Sequence, residues 1–251
     1  MDEKVKILIL AGGKGTRMQD TLPKVLIKIK GKPIIQHLLE SVTKTGIDDK
    51  PAIVVGYGKE EVIQTLGENY DYVIQNEQKG TGHAVIVAQE KLKNKADHVV
   101  VLYGDHPLVS PETIKKLVEK HLNAGSKITM ATVVLPDFKD WREIFYTNFS
   151  RILRDADGNI IKDIQFKDAS DEEKKVTEVN PCYFCFQAQW LWEKLKTLDT
   201  NNAQQEYYLT DLVKIAMEEK INIESIQIDP REALGANSKS ELEILERLMI
   251  Q

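Results

Sequence analysis

Cysteine is scarce in this chain, with two residues, Cys182 and Cys185, among 251. They stand in PCYFCF with the C-x-x-C spacing used by redox motifs and by half of many zinc sites. No second cysteine pair or histidine cluster completes a zinc site. If the segment is a strand, as its aromatic content suggests, the two sulfurs point to opposite faces, and core filling is the better reading. Histidine is equally thin: His37, His83, His98, His106 and His121 are scattered without a metal-binding spacing. Long apolar runs are missing as well. No stretch approaches the roughly 18 to 20 residues that span a bilayer, and the start MDEKVK runs directly into a strand, so a cytoplasmic protein without membrane contact is expected. Positive charge is not in excess either, with 34 Lys and Arg against 39 Asp and Glu, a net charge of -5. General nucleic-acid binding is thereby disfavoured, and any cationic site must be a local pocket.

What is present lies first in residues 5 to 25, VKILILAGGKGTRMQDTLPKV. Val5 to Leu10 is a short aliphatic run cut off by glycines, which reads as a buried parallel strand. Gly12, Gly13 and Gly15 lack the Cβ atoms that would hold a polyanion off the backbone, so successive amides after Ala11 can converge on phosphate oxygens. Lys14, Arg17 and Lys24 add charge-assisted contacts. The Walker pattern is excluded, because Leu8 stands where its first glycine belongs and Gly15 where Ser or Thr belongs. The dinucleotide pattern fails at Met18. Glycine-rich turns after strands are also common without any ligand, so this loop alone does not decide the matter.

The rest of the chain reads as α/β: a Rossmann-like open, mainly parallel sheet with helices on both faces and a smaller antiparallel lid. Strands are predicted at 5 to 10, 52 to 56, 72 to 76, 98 to 103 and 127 to 135, and helices at 33 to 45, 59 to 68, 82 to 93 and 111 to 123. Ser110 and Pro111 supply the cap and first turn of the last of these helices. After Pro136 shorter, more polar strands follow at about 150 to 155, 159 to 166 and 177 to 187, with Asp157-Gly158 as the turn of an antiparallel pair. Helices are predicted at 188 to 197 and 208 to 219, then a strand near 222 to 228 and an amphipathic helix from Ser238. The expectation is a single domain over 1–251: a nucleotide-binding half to about 135, a lid with returning elements over about 136–237, and a C-terminal helix at 238–251. Lys28, Lys30 and Lys32 recur at every second position, as on the wet face of an edge strand. Trp190 and Trp192 read as helix packing.

In an open parallel sheet, ligands bind beyond the carboxyl ends of the strands. The first glycine loop, Gly56-Tyr57-Gly58, the segment QNEQKGTG and Tyr103-Gly104-Asp105 all follow strands there. Asp105 is a metal candidate, since Mg²⁺ commonly takes one or two carboxylates plus substrate phosphates, although a turn or capping aspartate is the plain alternative. Gln75 and Gln78 each offer a donor and an acceptor to a base edge, in a segment that could equally be a tight turn into a helix.

LAGGKGTRM with LPKVL, GKPIIQH, Gln75-x-x-Gln78-x-Gly80-Thr81-Gly82-His83-Ala84, YGDHPL, EVN and NNAQQEYYLTD occur in one order. Together they resemble the uridylyltransferase domain of bacterial N-acetylglucosamine-1-phosphate uridylyltransferases, within the sugar-phosphate nucleotidyltransferases, from residue 5 to about 240. The resemblance implies an enzyme that makes a UDP-sugar and pyrophosphate from UTP and a sugar 1-phosphate, most naturally N-acetylglucosamine 1-phosphate, with Mg²⁺. It implies that Ala11, Gly12, Gly13, Lys14 and Gly15 wrap the UTP phosphates, that Arg17 and Lys24 act at the transferring phosphorus, and that Gln75, Gly80 and Thr81 hold uracil. Asp105 and Asn237 match the metal ligands; Tyr103, Gly104, Ser150, Gln165, Asn180, Tyr208 and Thr210 match the sugar pocket.

Departures cluster in that pocket. Ser150 replaces a usual glycine, Gln165 a glutamate, Pro181-Cys182 a Thr-Gly pair and Gln205 a glycine. Such changes alter shape and hydrogen bonding at the acceptor, which keeps a different phosphorylated acceptor open, with a non-catalytic nucleotide-sugar-binding protein as a further alternative. No hexapeptide repeats follow, so the acetyltransferase half of the bifunctional enzymes is expected to be missing.

Overall fold

A computed structural model of the chain describes residues 3–14, 22–202 and 204–249. The aliphatic run forms β1 (Val5–Ala11). A short hairpin, β2 (Lys28–Ile29) and β3 (Lys32–Pro33), leads into α1 (Ile34–Thr45). Strands and helices then alternate: β4 (Ala52–Val55), α2 (Lys59–Leu66), β5 (Asp71–Ile74), α3 (Thr81–Leu92), β6 (His98–Tyr103), α4 (Pro111–Ala124) and β7 (Ile128–Val134). After a short α5 (Ile144–Asn148) come β8 (Arg151–Arg154), β9 (Ile160–Ile164), β10 (Glu178–Val179) and β11 (Phe184–Gln187). The chain continues through α6 (Ala188–Lys194), α7 (Asp211–Glu218), β12 (Glu224–Gln227) and α8 (Lys239–Leu248).

The main sheet runs β5-β4-β1-β6-β11-β7, with β12 on the far edge of β7. Pairing is parallel throughout except for β11, which lies antiparallel between β6 and β7. β1 is flanked by β4 and β6, so the chain leaves it in opposite directions and a crevice opens beyond its carboxyl end.

Side chains along β1 alternate between two buried cores. Ile7, Ile9 and Ala11 face α1, α4 and α8 through Ile34, Leu38, Leu117 and Leu245. Leu8 and Leu10 face the other layer, with Val85, Ala88, Leu191 and Leu212 from α3, α6 and α7. β1, β4 and β6 are covered on both faces, which is why their sequences are runs of aliphatics and not alternations. Trp190 and Trp192 are buried in the second core, and Trp190 stacks with Phe186. Cys185 is a free, fully buried core residue of β11.

β10 is shared. It pairs with β7 and with β8, and β8 pairs with β9 through the predicted turn, where Asp155 accepts from the Asp157 and Asn159 amides. This is the small antiparallel sheet.

Three segments differ from the sequence reading. The strand expected over 177 to 187 is broken at Asn180–Tyr183, where Pro181 has no N–H to give and Cys182 takes φ 66°. Lys28 to Lys32 is no edge strand of the main sheet. It is a two-residue hairpin turning on Lys30 and Gly31, both at positive φ, and Lys32 bonds Glu40. The helix expected from 208 begins at Asp211. Helix α5, which the sequence reading lacks, is set by aromatic packing: Phe145 is fully buried, with Trp141 and Phe149 against it. Among the described residues no helix is long and apolar enough to cross a membrane.

Candidate active site

The crevice is lined by the turns after β1, β4, β5 and β6 and by the segment before α8. Ala11 ends β1, and Gly12 through Lys14 follow. A Cβ on Gly12 would stand 2.6 Å from Gln75 Oε1, so a larger residue here would displace the Gln75 amide. The Gly12 carbonyl accepts from Tyr57 N at 3.3 Å, and Lys14 Nζ lies 5.8 Å over the Tyr57 ring. A Cβ on Gly13 would meet nothing within 4 Å among the described residues. Gly15 and Arg17 lie outside the described residues.

Lys24 starts a short helical turn, Lys24–Leu26, anchored by buried Val25 and Leu26. Its ammonium bonds Asp105 Oδ2 and, at 2.9 Å, Asn237 Oδ1. Asp105 is placed by Gly104, whose amide extends the ladder to the Leu10 carbonyl at 2.9 Å. Asn237 is placed by two bonds: Ala236 N to the Asp105 carbonyl at 3.0 Å, and its own amide to Glu241 Oε2 at 2.6 Å. Ser238 caps α8 by accepting from Glu241 N. Residues 81 and 213 positions distant from Lys24 in sequence thus converge on one ammonium. Burial alone would push the Asp105 carboxyl up, but Lys24, His106 and the Lys24 hydrogen bond together hold it down at about 2.

These donors fit a hard divalent cation. Two oxygen donors share one positive group, and phosphate oxygens of a substrate would complete the set. No group of three or more His, Cys, Asp or Glu side chains is arranged to hold a metal by itself among the described residues.

On the other side of β1, Gln75 is buried and gives its amide N–H groups to the Gly80 carbonyl at 3.2 Å and His83 Nδ1 at 3.1 Å. That leaves Oε1, facing Gly12, as its open acceptor. Gln78 bonds the Gln75 carbonyl at 3.1 Å, bracing the loop. Gly80 has φ 102°, and a Cβ there would sit 2.5 Å from the Tyr207 carbonyl, so this turn can only be glycine. Thr81 accepts from Leu209 N at 3.1 Å and hydrogen-bonds the Tyr103 phenol. Burial, then Cys182 and Asp105, raise the Tyr103 phenol well above its usual range.

The residues matched to a sugar pocket divide. Ser150 and Asn180 are buried and share one partner, Asp163: Asn180 Nδ2 donates to its Oδ2 at 2.8 Å, and Ser150 hydrogen-bonds the same carboxyl. Asn180 Oδ1 accepts from Cys182 N at 2.7 Å. Burial raises Asp163 to about 6, against the bonds from Ser150 and Asn180, and nearby Asp211 adds to the rise. Asp163 Oδ1 is buried without a partner among the described residues. Gln165, two positions along, is exposed. The Tyr208 hydroxyl turns to Gln204 at 2.6 Å near the surface, and Thr210 immediately precedes α7.

Asp163 and His106 are the residues that sequence reasoning missed. The signal for His106 was its place directly after Asp105; for Asp163 it was an acid on the same strand face as position 165. A cavity of about 720 Å³ lies at the amino ends of β1 and β6 among Lys4, Lys93, Lys95 and Lys196, away from the crevice.

Comparison with known proteins identifies the family of the chain. The chain is 38% identical over 243 residues to the bifunctional protein GlmU of Geobacillus thermodenitrificans, covering 96% of this chain and 51% of that protein. The GlmU of Acetivibrio thermocellus is 40% identical, with 96% and 50% covered. The chain therefore spans about half the length of the curated relatives it matches. Two solved structures share the fold: a putative glucose-1-phosphate thymidylyltransferase from Bacillus anthracis, with TM-score 0.77, 18% identity and 97% and 94% of the chains covered, and a CMP:2-keto-3-deoxy-manno-octonic acid synthetase complexed with CTP, with TM-score 0.71, 17% identity and 99% of each chain. The family model of the MobA-like NTP transferase domain matches residues 7–208, and the chain belongs to that nucleotidyltransferase family.

Proposed function

We propose that the chain joins UTP to a sugar 1-phosphate, in the first instance N-acetylglucosamine 1-phosphate, and releases a UDP-sugar and pyrophosphate. The observation that carries this reading is the meeting of Lys24, Asp105 and Asn237 in the crevice beyond β1 and β6, beside the glycine loop. The likeness to GlmU proteins supports the same reading.

In this reaction a phosphate oxygen of the acceptor attacks the α-phosphorus of UTP in line. A P–O bond forms as the bond to the β-phosphate oxygen breaks, and pyrophosphate leaves with the electron pair. The acceptor is already anionic near neutral pH, so no protein base is needed. Catalysis is positioning and charge stabilisation. Amides of Gly12 and Gly13 receive phosphate oxygens, while Lys24 moves from its carboxylate partner towards the transferring phosphorus and Arg17 serves the leaving group. Asp105 and Asn237 would hold Mg²⁺, which would supply screening between the two anions. Gln75 Oε1 suits the N3–H of uracil, with Gly80 and Thr81 closing the base pocket.

A second reading keeps the chemistry and changes the acceptor. Both ends of the Asn180 amide are engaged inside the protein and Gln165 is exposed, which supports acceptor contacts other than those the resemblance implies. One assay tests both. Pyrophosphate release is measured with Mg²⁺, each of the four common nucleoside triphosphates and a panel of sugar 1-phosphates. UTP with N-acetylglucosamine 1-phosphate is expected to lead; UTP with another acceptor favours the second reading, and no release with any pair rejects both.

A further inference from the structure

His106 follows Asp105 directly and takes no part in the steps above. Its ring is buried beside Tyr103 and Tyr183, with centroid separations of 5.6 and 5.5 Å. The bonds around Tyr183 decide which ring nitrogen carries a proton. A phenol has one proton, and Tyr183 donates it to the Glu232 carbonyl at 2.7 Å. The contact between Tyr183 and His106 Nδ1 must therefore run the other way, with Nδ1–H donating to the phenol oxygen. Nδ1 is committed to Tyr183, and Nε2 is the position from which the ring can coordinate.

Nε2 lies 3.8 Å from Asp105 Oδ1. On its other side is Gly235, where a Cβ would stand 2.7 Å from Nε2 and 3.0 Å from Asn237 Nδ2. The missing side chain at 235 is what lets the imidazole edge reach the same wall as Asn237. The side chains of Asp105 and His106 are about equally open to the crevice, 10% and 11% exposed.

We propose that His106 Nε2 is a third protein ligand of the divalent cation held by Asp105 and Asn237, making the centre a mixed oxygen and nitrogen site. The proposal rests on the function given above. Tyr183 and the Glu232 carbonyl are then the outer partners that fix the ring, as such partners do for metal-binding histidines. Imidazole suits later first-row metals better than it suits Mg²⁺, so Mn²⁺ and Co²⁺ gain affinity over Mg²⁺ relative to an all-oxygen centre.

The test is pulsed electron paramagnetic resonance on the full chain loaded with Mn²⁺, alone and with UTP, whose phosphates offer oxygen only. Protein is prepared unlabelled and with ¹⁵N-histidine. Expected is a nitrogen coupling to Mn²⁺ that changes with the histidine label, and a loss of Mn²⁺ affinity of at least about tenfold in His106→Leu with a smaller loss for Mg²⁺. Mn²⁺ bound without histidine coupling overturns the assignment, and the labelled wild-type protein decides this even if His106→Leu does not fold. Asp105→Ala separates the two levels. If it abolishes Mn²⁺ binding while wild type lacks the coupling, only the role of His106 falls; if Mn²⁺ stays bound to Asp105→Ala, or never binds wild type, the active-site reading falls with it.

Discussion

The half of the molecule built on β1, β4 and β6 and the small sheet of β8 and β9 organise polar groups in opposite ways. Around β1 the interior is aliphatic on both faces, and several site residues emerge where strands end: Gly12 and Gly13 after β1, Asp105 after β6. The small sheet is instead built around buried charge. Arg151 is fully buried with no carboxylate partner among the described residues. It donates to the carbonyls of Phe149 at 2.7 Å and Tyr146 at 2.6 Å, and lies 4.8 to 5.5 Å from the rings of Phe138, Phe166 and Tyr146. Asp163, on the adjacent strand, is half-buried, with its Oδ1 buried and without a partner among the described residues. The lesson is about mutability. A scaffold held by apolar packing tolerates changes at its strand ends as losses of chemistry, whereas a layer held by hydrogen-bonded charges loses its shape along with its contacts.

The largest expected effect falls on the first region. Asp105→Ala removes the carboxylate that Lys24 bonds, and turnover is expected to fall by about 10² to 10³ or more with secondary structure retained and a lower Tm, since the Lys24 ammonium loses its carboxylate partner. Pyrophosphate release and circular dichroism check this, and near-normal release would remove Asp105 from the reaction. Arg151→Leu should behave in the contrary manner. It leaves several buried carbonyls without a donor, so stability is expected to drop by at least about 2 kcal/mol, with the KM for the acceptor raised more than that for UTP. Urea unfolding and initial-rate kinetics test the split; an equal rise in both KM values would erase the contrast between the two regions.

Gly80→Ala sits at the seam, where the turn after β5 meets Tyr207. Positive φ and the close carbonyl together should cost about 1 to 3 kcal/mol and weaken UTP binding, read by thermal melts and calorimetry. The smallest effect is a pH dependence. Asp163 is raised in the folded protein to about 6 from the ordinary 3.8, so its contribution to stability is present below pH 3.8 and is lost as pH rises through about 6. Asp163→Asn, which cannot ionise, should gain Tm relative to wild type across that window and hold the gain at higher pH. A difference that is flat from pH 4 to 7 would mean the carboxyl is not buried as described.

The same contrast explains what could be read from the sequence. Covered strands leave a strong mark, so β1, β4, β5, β6 and β7 and the helices between them sit within a residue or two of the predicted spans, and the Ser110-Pro111 start of α4 is where its cap and fixed φ require. The small sheet carries weaker marks. Its hairpin was legible through Asp157-Gly158, but the break at Asn180–Tyr183 depends on Pro181 and on a left-handed Cys182 held by Asn180, which no periodicity announces. In the crevice, strand-end residues such as Asp105 were visible because glycine precedes them. The resemblance already groups Asp105 with Asn237 and sets Lys24 at the same reaction; that the Lys24 ammonium bonds both side chains is a long-range contact visible only when the fold assembles it. His106 and Asp163 were hidden for a related reason. Each takes its meaning from a neighbour on another element, Tyr183 and Gly235 for one, Ser150 and Asn180 for the other.

The most direct test of the central claim is the anomalous diffraction of Mn²⁺ in crystals grown with UTP. The account predicts one peak at about 2 Å from oxygens of Asp105 and Asn237, on the side of Asp105 that His106 Nε2 also faces, with UTP phosphate oxygens among its neighbours. A peak elsewhere on the molecule, or UTP bound with its phosphates turned away from Asp105, would contradict it.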